Sequence, residues 1–286
     1  MSARSHPLSG LPCAWPLPPL HSVRAVCLLL LVSILSLLSS VLQIMLWPIF
    51  RMLDPNQAYN QRLNGFLCEL GCLPFFRIQV NGLEHFPTDR GCIMVANHQS
   101  ALDAFIFTAM AHINFKVIFK SEILFYPGIG SAMWLAGHLP LKRGDKNSGA
   151  AVMAKTKQLL SEGVSVLYFP EATRKIDVSK SPIGPFKAGA FKTAIEAGAL
   201  IVPITISGAR YLMPPHGVPK LGWGNPTLTV HPPIDTAGCR VSETGSAQKE
   251  DVDTLAEQAR QVIASALTDA DSAAAIAREA SMPVAK

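Results

Sequence analysis

One stretch of this chain constrains it more than any other: from Ala25 to Phe50 there is no Asp, Glu, Lys or Arg. Within it, Val26 to Leu46 holds nine Leu, two Ile and three Val. About 20 such residues in a helix cross a ~30 Å hydrocarbon core. At roughly 0.3–0.6 kcal/mol for each of these aliphatic side chains, insertion is favourable by several kcal/mol, with no charge to offset it. A cleaved leader is the rival reading. The run, however, exceeds the ~7–15 residues of a leader's apolar region, and no small-x-small site precedes Trp47-Pro48. The expectation is a retained membrane helix over 22–50, with the protein held at a membrane as an integral or monotopic one. Arg24 and Arg51 flank it evenly, so charge does not set its orientation.

The residues around this helix divide the chain further. A proline-rich tail, 1–21, has little apolar periodicity and reads as unstructured. Segment 51–78 contains a second apolar helix candidate, Tyr59 to Phe76, interrupted by Gly71 and Pro74 and too short for a second span. It suits an interfacial position, a partner for the first helix, or packing on the domain that follows. From 79 to 235, strand-like and helix-like runs alternate. The strands are expected at Arg77 to Val80, Cys92 to Ala96, Lys116 to Phe119, Val164 to Phe169 and Ile201 to Ile206. Helices are expected at Ala101 to Ala111, Ala150 to Ser161 and Ala188 to Ala197. Such alternation predicts an α/β fold: one catalytic domain with a mostly buried mixed sheet flanked by helices, preceded by the membrane helix. Segment 236–286 adds a C-terminal helix, Glu250 to Leu267, and a flexible Ala-rich tail.

Charge narrows the partners. Between His112 and Lys192 twelve Lys/Arg stand against five Asp/Glu, whereas Asp235 to Lys286 holds nine acids against five bases. A basic middle without consecutive Lys/Arg interleaved with aromatics disfavours nucleic acid and favours phosphate on a lipid or small molecule. Six cysteines lie scattered, with no CxxC pair and no His partners at zinc spacing, so neither a metal site nor a disulfide framework is expected.

Four clusters can carry chemistry. ANHQSALDAF, Ala96 to Phe105, follows the apolar run CIMV, which puts His98 at the carboxyl end of a strand, where sites in α/β sheets gather. With Ser100 as N-cap, Asp103 falls in the first helical turn and can fold back to one ring nitrogen, leaving the other as a base. The same spacing also suits a capping box around a structural histidine. YFPEATR, Tyr168 to Arg174, ends a second strand with Glu171 and Arg174. Arg offers a planar fork of donors to phosphate, and Glu171 can hold it or bond a hydroxyl; the pair also reads as a surface ion pair. GHLPLKRGD places Lys142 and Arg143 after a short apolar run, as a phosphate clamp or a solvated basic turn. ALIVPITISGAR, Ala199 to Arg210, is a Val-Pro-Ile strand with a basic end.

Taken in order, NHxxxxD, the basic block, FPExTR and the Val-Pro-Ile strand closely resemble the glycerolipid acyltransferases, especially the 1-acylglycerol-3-phosphate acyltransferases. The resemblance covers roughly Gly82 to Pro233. It implies that His98 is the general base on an acceptor hydroxyl and that Asp103 orients it. It further implies that the acceptor is bound by Asn97, Lys142, Arg143, Glu171, Thr173 and Arg174. The partners implied are a lysophospholipid acceptor, an acyl thioester donor (acyl-CoA or acyl carrier protein) and membrane lipids, with no cofactor and no metal. Transfer is implied to be direct, and no GxSxG nucleophile elbow, P-loop or GxGxxG occurs. One position departs from the pattern. The family carries Gly after the glutamate and this chain carries Ala172, which resists backbone angles that glycine accepts and so opens the identity of the acceptor.

Overall fold

In the computed structural model, the described residues are 18–54, 56–173, 183–214, 219–242 and 245–267. Helix α1 (Pro18–Leu53) and helix α2 (Ala58–Cys72) come first, then strand β1 (Gln79–Asn81) and strand β2 (Ile93–Ala96). Short helix α3 (Asp103–Ile106), β3 (Phe115–Lys120), α4 (Ile129–Leu135), β4 (Leu139–Leu141), α5 (Lys146–Ser161) and β5 (Ser165–Tyr168) follow. The chain continues through α6 (Gly189–Ala197), β6 (Ile201–Ser207), the one-turn α7 (Ala209–Leu212), β7 (Thr227–Val230) and α8 (Lys249–Ser265).

The strands form one mixed sheet in the order β1-β7-β6-β2-β5-β3-β4. All pairings are parallel except β6 with β7. Every residue of β2 (IMVA) and β6 (IVPITIS) is buried, as continuous apolar strands covered on both faces must be. Helices α6 and α8 cover one face over Ile93, Val95 and Ile201. Helices α1 and α2 and the α3 segment cover the other, over Met94, Val202 and Ile204. The expected α/β class, mixed sheet and N-terminal apolar helix are all present.

Several boundaries differ from expectation. Helix α1 begins at Pro18, inside the segment read as an unstructured tail, because proline's fixed φ suits a first helical turn whose N–H groups are unpaired anyway. The helix expected over Ala101 to Ala111 is instead α3 followed by a 3₁₀ turn, Phe107–Met110. Strands β4 and β7 lie where no strand was read. Both are short, and β7 alternates half-buried Thr with buried Leu and Val instead of running continuously apolar.

Helix α1 lies along the domain instead of projecting from it. His21, Ala25, Leu28, Val32, Ser36, Ser40 and Gln43, spaced three or four apart, form its buried face. Leu30, Ile34, Leu37, Val41, Ile44 and Met45 form an exposed apolar stripe on the other side. Helix α2 folds back against α1, the second of the placements its sequence allows. Small residues bring these helices close: a β-carbon at Gly71 would sit 3.1 Å from Leu35, and one at Gly65 would overlap the β-carbon of Ala111. Ser40 Oγ and Ser131 Oγ, 2.8 Å apart, join α1 to α4.

At the end of the sheet where β3 starts, Lys116 is buried, its Nζ donating to Ala136 O at 3.0 Å and to Gln61 Oε1 at 3.4 Å. Burial pulls its pKa down to about 8, against which the charge of Asp54 acts. Neighbouring His138 accepts from Val117 N–H at 3.1 Å, and burial pushes its pKa down to about 3.

Two stability predictions follow from this packing. Because the folded Lys116 pKa lies near 8 and the unfolded value near 10.5, the cost of burying the charge is complete below pH 8. It disappears as pH rises toward 10.5, since there the unfolded chain binds more protons. Thermal unfolding should therefore show stability gained between pH 8 and 10 by wild type but not by Lys116→Met, the two gains differing by up to about 3 kcal/mol. Chemical denaturation of Gly65→Leu should show a loss of about 1–3 kcal/mol, from forcing α2 off Ala111.

Candidate active site

The site stands at the carboxyl end of β2, between the ends of β5 and β6. The chain leaves β2 into a turn, 97–102, that Asp103 organises. Its Oδ2 accepts from His98 Nδ1–H at 2.6 Å, from Gln99 N–H at 2.8 Å and from Ser100 N–H at 3.1 Å. Asp103 itself is fully buried; three donors meet its Oδ2, while its Oδ1 has no hydrogen-bond partner among the described residues. Ser100 is not the N-cap, because the helix begins at Asp103; Ser100 Oγ instead accepts from Leu102 N–H at 3.2 Å. The structure thus joins both readings of the motif, since the carboxylate that ties the turn also holds the imidazole.

With Nδ1 donating to a carboxylate, Nε2 is the ring atom able to take a proton. The His98 side chain is 19% exposed, and its ring packs on Phe169 with centroids 4.5 Å apart. Phe169 meets Phe107 edge-on at 5.9 Å. Phe107, with Gly65, Phe105, Ile129 and Met133, lines an apolar cavity of about 70 Å³ reaching between α2 and α4.

Glu171, just past the end of β5, was expected to meet substrate or an arginine. It is buried, and both its oxygens serve the backbone: Oε1 accepts from His98 N–H at 2.7 Å and Oε2 from Gly184 N–H at 2.8 Å. Burial raises its pKa, opposed by those two bonds and by the charges of His98 and Arg210. Ala172 beside it has φ +54°, in the left-handed region. The turn keeps a glycine-like conformation with an alanine in it.

Asn97, expected among the acceptor-binding residues, is buried and committed to β6. Its Nδ2 donates to Ile206 O at 2.9 Å and its Oδ1 accepts from Ile206 N–H at 2.7 Å. Lys142 and Arg143 are exposed just after β4, at the same end of the sheet as His98 but three strands away, roughly 14 Å at ordinary strand spacing. Thr173 is exposed at the site's edge, and Arg174 lies outside the described residues. Sequence reasoning missed Arg210, a buried basic residue in α7 whose N–H donates to Gln99 Oε1 at 3.4 Å. It also missed Met213, whose carbonyl accepts from Ser100 Oγ at 2.6 Å. The basic end of the Val-Pro-Ile segment was the one signal for Arg210. Contact across more than 100 residues left no local signal for Met213.

The sequence model of the Acyltransferase family matches residues 77–207. The chain is 34% identical over 217 residues to a chloroplastic 1-acyl-sn-glycerol-3-phosphate acyltransferase of Brassica napus, covering 74% of this chain and 61% of that one. It is 37% identical over 199 residues to a chloroplastic enzyme of the same name from Arabidopsis thaliana, covering 68% and 54%. With a Chlamydomonas reinhardtii enzyme of that name it shares 32% identity over 252 residues, covering 87% and 70%. The chain thus spans a little over half the length of the first two. The crystal structure of the 1-acyl-sn-glycerophosphate acyltransferase PlsC from Thermotoga maritima superposes with a TM-score of 0.61 at 21% identity, over 92% of this chain and 99% of that one, a likeness of fold. By its matched domain and by these relatives, this chain belongs to the acyltransferase family.

Proposed function

We propose that this protein transfers a fatty acyl group from acyl-CoA or acyl carrier protein to the sn-2 hydroxyl of 1-acylglycerol-3-phosphate, making phosphatidic acid. The observation that carries the reading is His98 Nδ1 held at 2.6 Å by a buried Asp103, in an open strand-end site. An alcohol is a poor nucleophile at neutral pH, whereas a thiolate leaves readily, so the step needs a base more than an acid. His98 Nε2 takes the hydroxyl proton as the oxygen attacks the thioester carbonyl. The tetrahedral intermediate collapses with loss of the thiolate, which receives the proton back. No covalent enzyme intermediate and no cofactor enter the scheme.

The exposed Lys142, Arg143 and Thr173, together with Arg174, supply the basic rim for the phosphate of the acceptor. Asn97 and Glu171 support the turn from within, and their proposed role is to position His98. The mostly apolar cavity beside Phe107, which meets the Phe169 ring stacked on the imidazole, is the proposed place for the first few methylene groups of an acyl chain. The exposed apolar stripe of α1, with Phe66, Leu70 and Leu73 of the α2 region, supports seating in a bilayer. Since the other face of α1 packs on the domain, a monotopic seat fits better than a lone span.

A different lysophospholipid acceptor was the second reading, motivated by Ala172. Its φ of +54° argues for the first, because the turn holds the shape that glycine would give it.

Two experiments test this. Thiol release from acyl-CoA should depend on lysophosphatidic acid and should fall by roughly 10²–10⁴ in His98→Ala and Asp103→Asn; undiminished release in either variant would sink the mechanism. Against a panel of lysophospholipids, Ala172→Gly should keep the wild-type order of preference. Its stability should change by less than about 1 kcal/mol, as relief of left-handed strain offsets glycine's added backbone entropy. A reordered panel would restore the second reading.

A further inference from the structure

The amino-terminal end of α1 is bonded to the segment that holds the catalytic turn. Arg24 Nη2 donates to Phe75 O at 3.3 Å and to Gly222 O at 3.4 Å, and its guanidinium lies 3.4 Å from the centroid of the Trp223 ring. One turn earlier, His21 Nδ1–H donates to Leu221 O at 2.9 Å, and Leu221 N–H returns a bond to His21 O at 3.0 Å. Gly222 N–H then donates to Leu212 O, the last residue of α7, at 2.8 Å. From α7 and the residue after it, two bonds enter the catalytic turn: Arg210 N–H to Gln99 Oε1, and Ser100 Oγ to Met213 O. Ser100 N–H is itself one of the three donors on Asp103 Oδ2. The links run from 2.6 to 3.4 Å, and most of their members are buried. The exception is Trp223, 58% exposed and lying over a cation, as an aromatic at a membrane interface would.

We propose that Arg24 and Trp223 are positioning residues, a latch that ties the membrane helix α1 to α7 and, through α7, sets the turn that carries His98 and Asp103. In this arrangement the seating of α1 in lipid and the geometry of the base are one event. With the latch open, α7 loses its outer support, Ser100 loses a fixed partner, and the carboxylate no longer meets the imidazole at a constant distance. Small misplacements of a base cost far more in turnover than in binding. Intermediacy of residues between two sites does not establish coupling, so the measurement must read the turn itself.

This inference rests on the proposed acyl transfer only for its kinetic half. Backbone hydrogen exchange of Gln99–Ile106 and Leu212–Trp223 is measured on the full chain, in detergent and after transfer to phosphatidylcholine/phosphatidylglycerol vesicles. Turnover is measured on the same samples. In wild type, vesicles should slow exchange in both segments together. In Trp223→Ala and Arg24→Met, Gln99–Ile106 should exchange faster and gain no protection from vesicles. Turnover should fall roughly tenfold with the KM for acceptor little changed. Trp223→Phe, which keeps a ring under the guanidinium, should retain most of both. If Trp223→Ala does not fold, Arg24→Lys, which keeps the charge but loses the fork, serves in its place with a smaller change in the same direction. Faster exchange at Leu212–Trp223 with Gln99–Ile106 unaltered overturns the latch, as does unaltered exchange in both. A wild type that transfers no acyl group would sink the proposed function alone, because the exchange comparison is decided without turnover.

Discussion

The site depends on one oxygen atom. Asp103 Oδ2 takes hydrogen bonds from the His98 ring and from the backbone of Gln99 and Ser100, while lying wholly out of water. Burying a carboxylate costs several kcal/mol unless donors meet it. Two of the three donors are backbone N–H groups of the turn itself, so the turn folds because the carboxylate is there. The carboxylate is tolerated because the turn folds. The imidazole receives a fixed tautomer as a by-product of this mutual arrangement.

Everything around that oxygen keeps the turn from shifting. Glu171, just past β5, holds the His98 N–H, and Asn97 bonds both ways to Ile206 of β6, so the chain on both sides of β2 grips the two residues just past its end. Burial raises the Glu171 pKa, and its two backbone donors act against that rise. A residue that binds substrate needs a free face, and these two have none. Their polar atoms are spent on holding the backbone.

Much of this was legible in the sequence, and the limits are physical. Mainly apolar runs announced β2, β5 and β6, because strands covered on both faces carry no charge and few polar residues, and the uncharged run announced α1. Strands β4 and β7 gave no such signal, being three and four residues long, with β7 half polar. His98 and Asp103 were readable because their contact spans five residues. Asn97 and Glu171 were expected to bind the acceptor; their bonds to Ile206 and Gly184 were not readable, since those partners come from other strands and loops. The sequence carries residue type, and only the fold says which atoms are already used.

Helix α1 shows the same division of labour on a larger scale. Its composition satisfies a membrane span, yet a span surrounded by lipid has no use for His21, Ser36, Ser40 and Gln43, all buried here. Those polar residues recur at helical spacing on one face, where His21 bonds Leu221 and Ser40 bonds Ser131 across the contact, and Gln43 bonds Ser39 within the helix. Polar groups in an apolar helix are costly unless paired, so the face that pairs His21 and Ser40 with the domain is its docking face. One side of the helix is therefore core, and the other is an exposed apolar stripe.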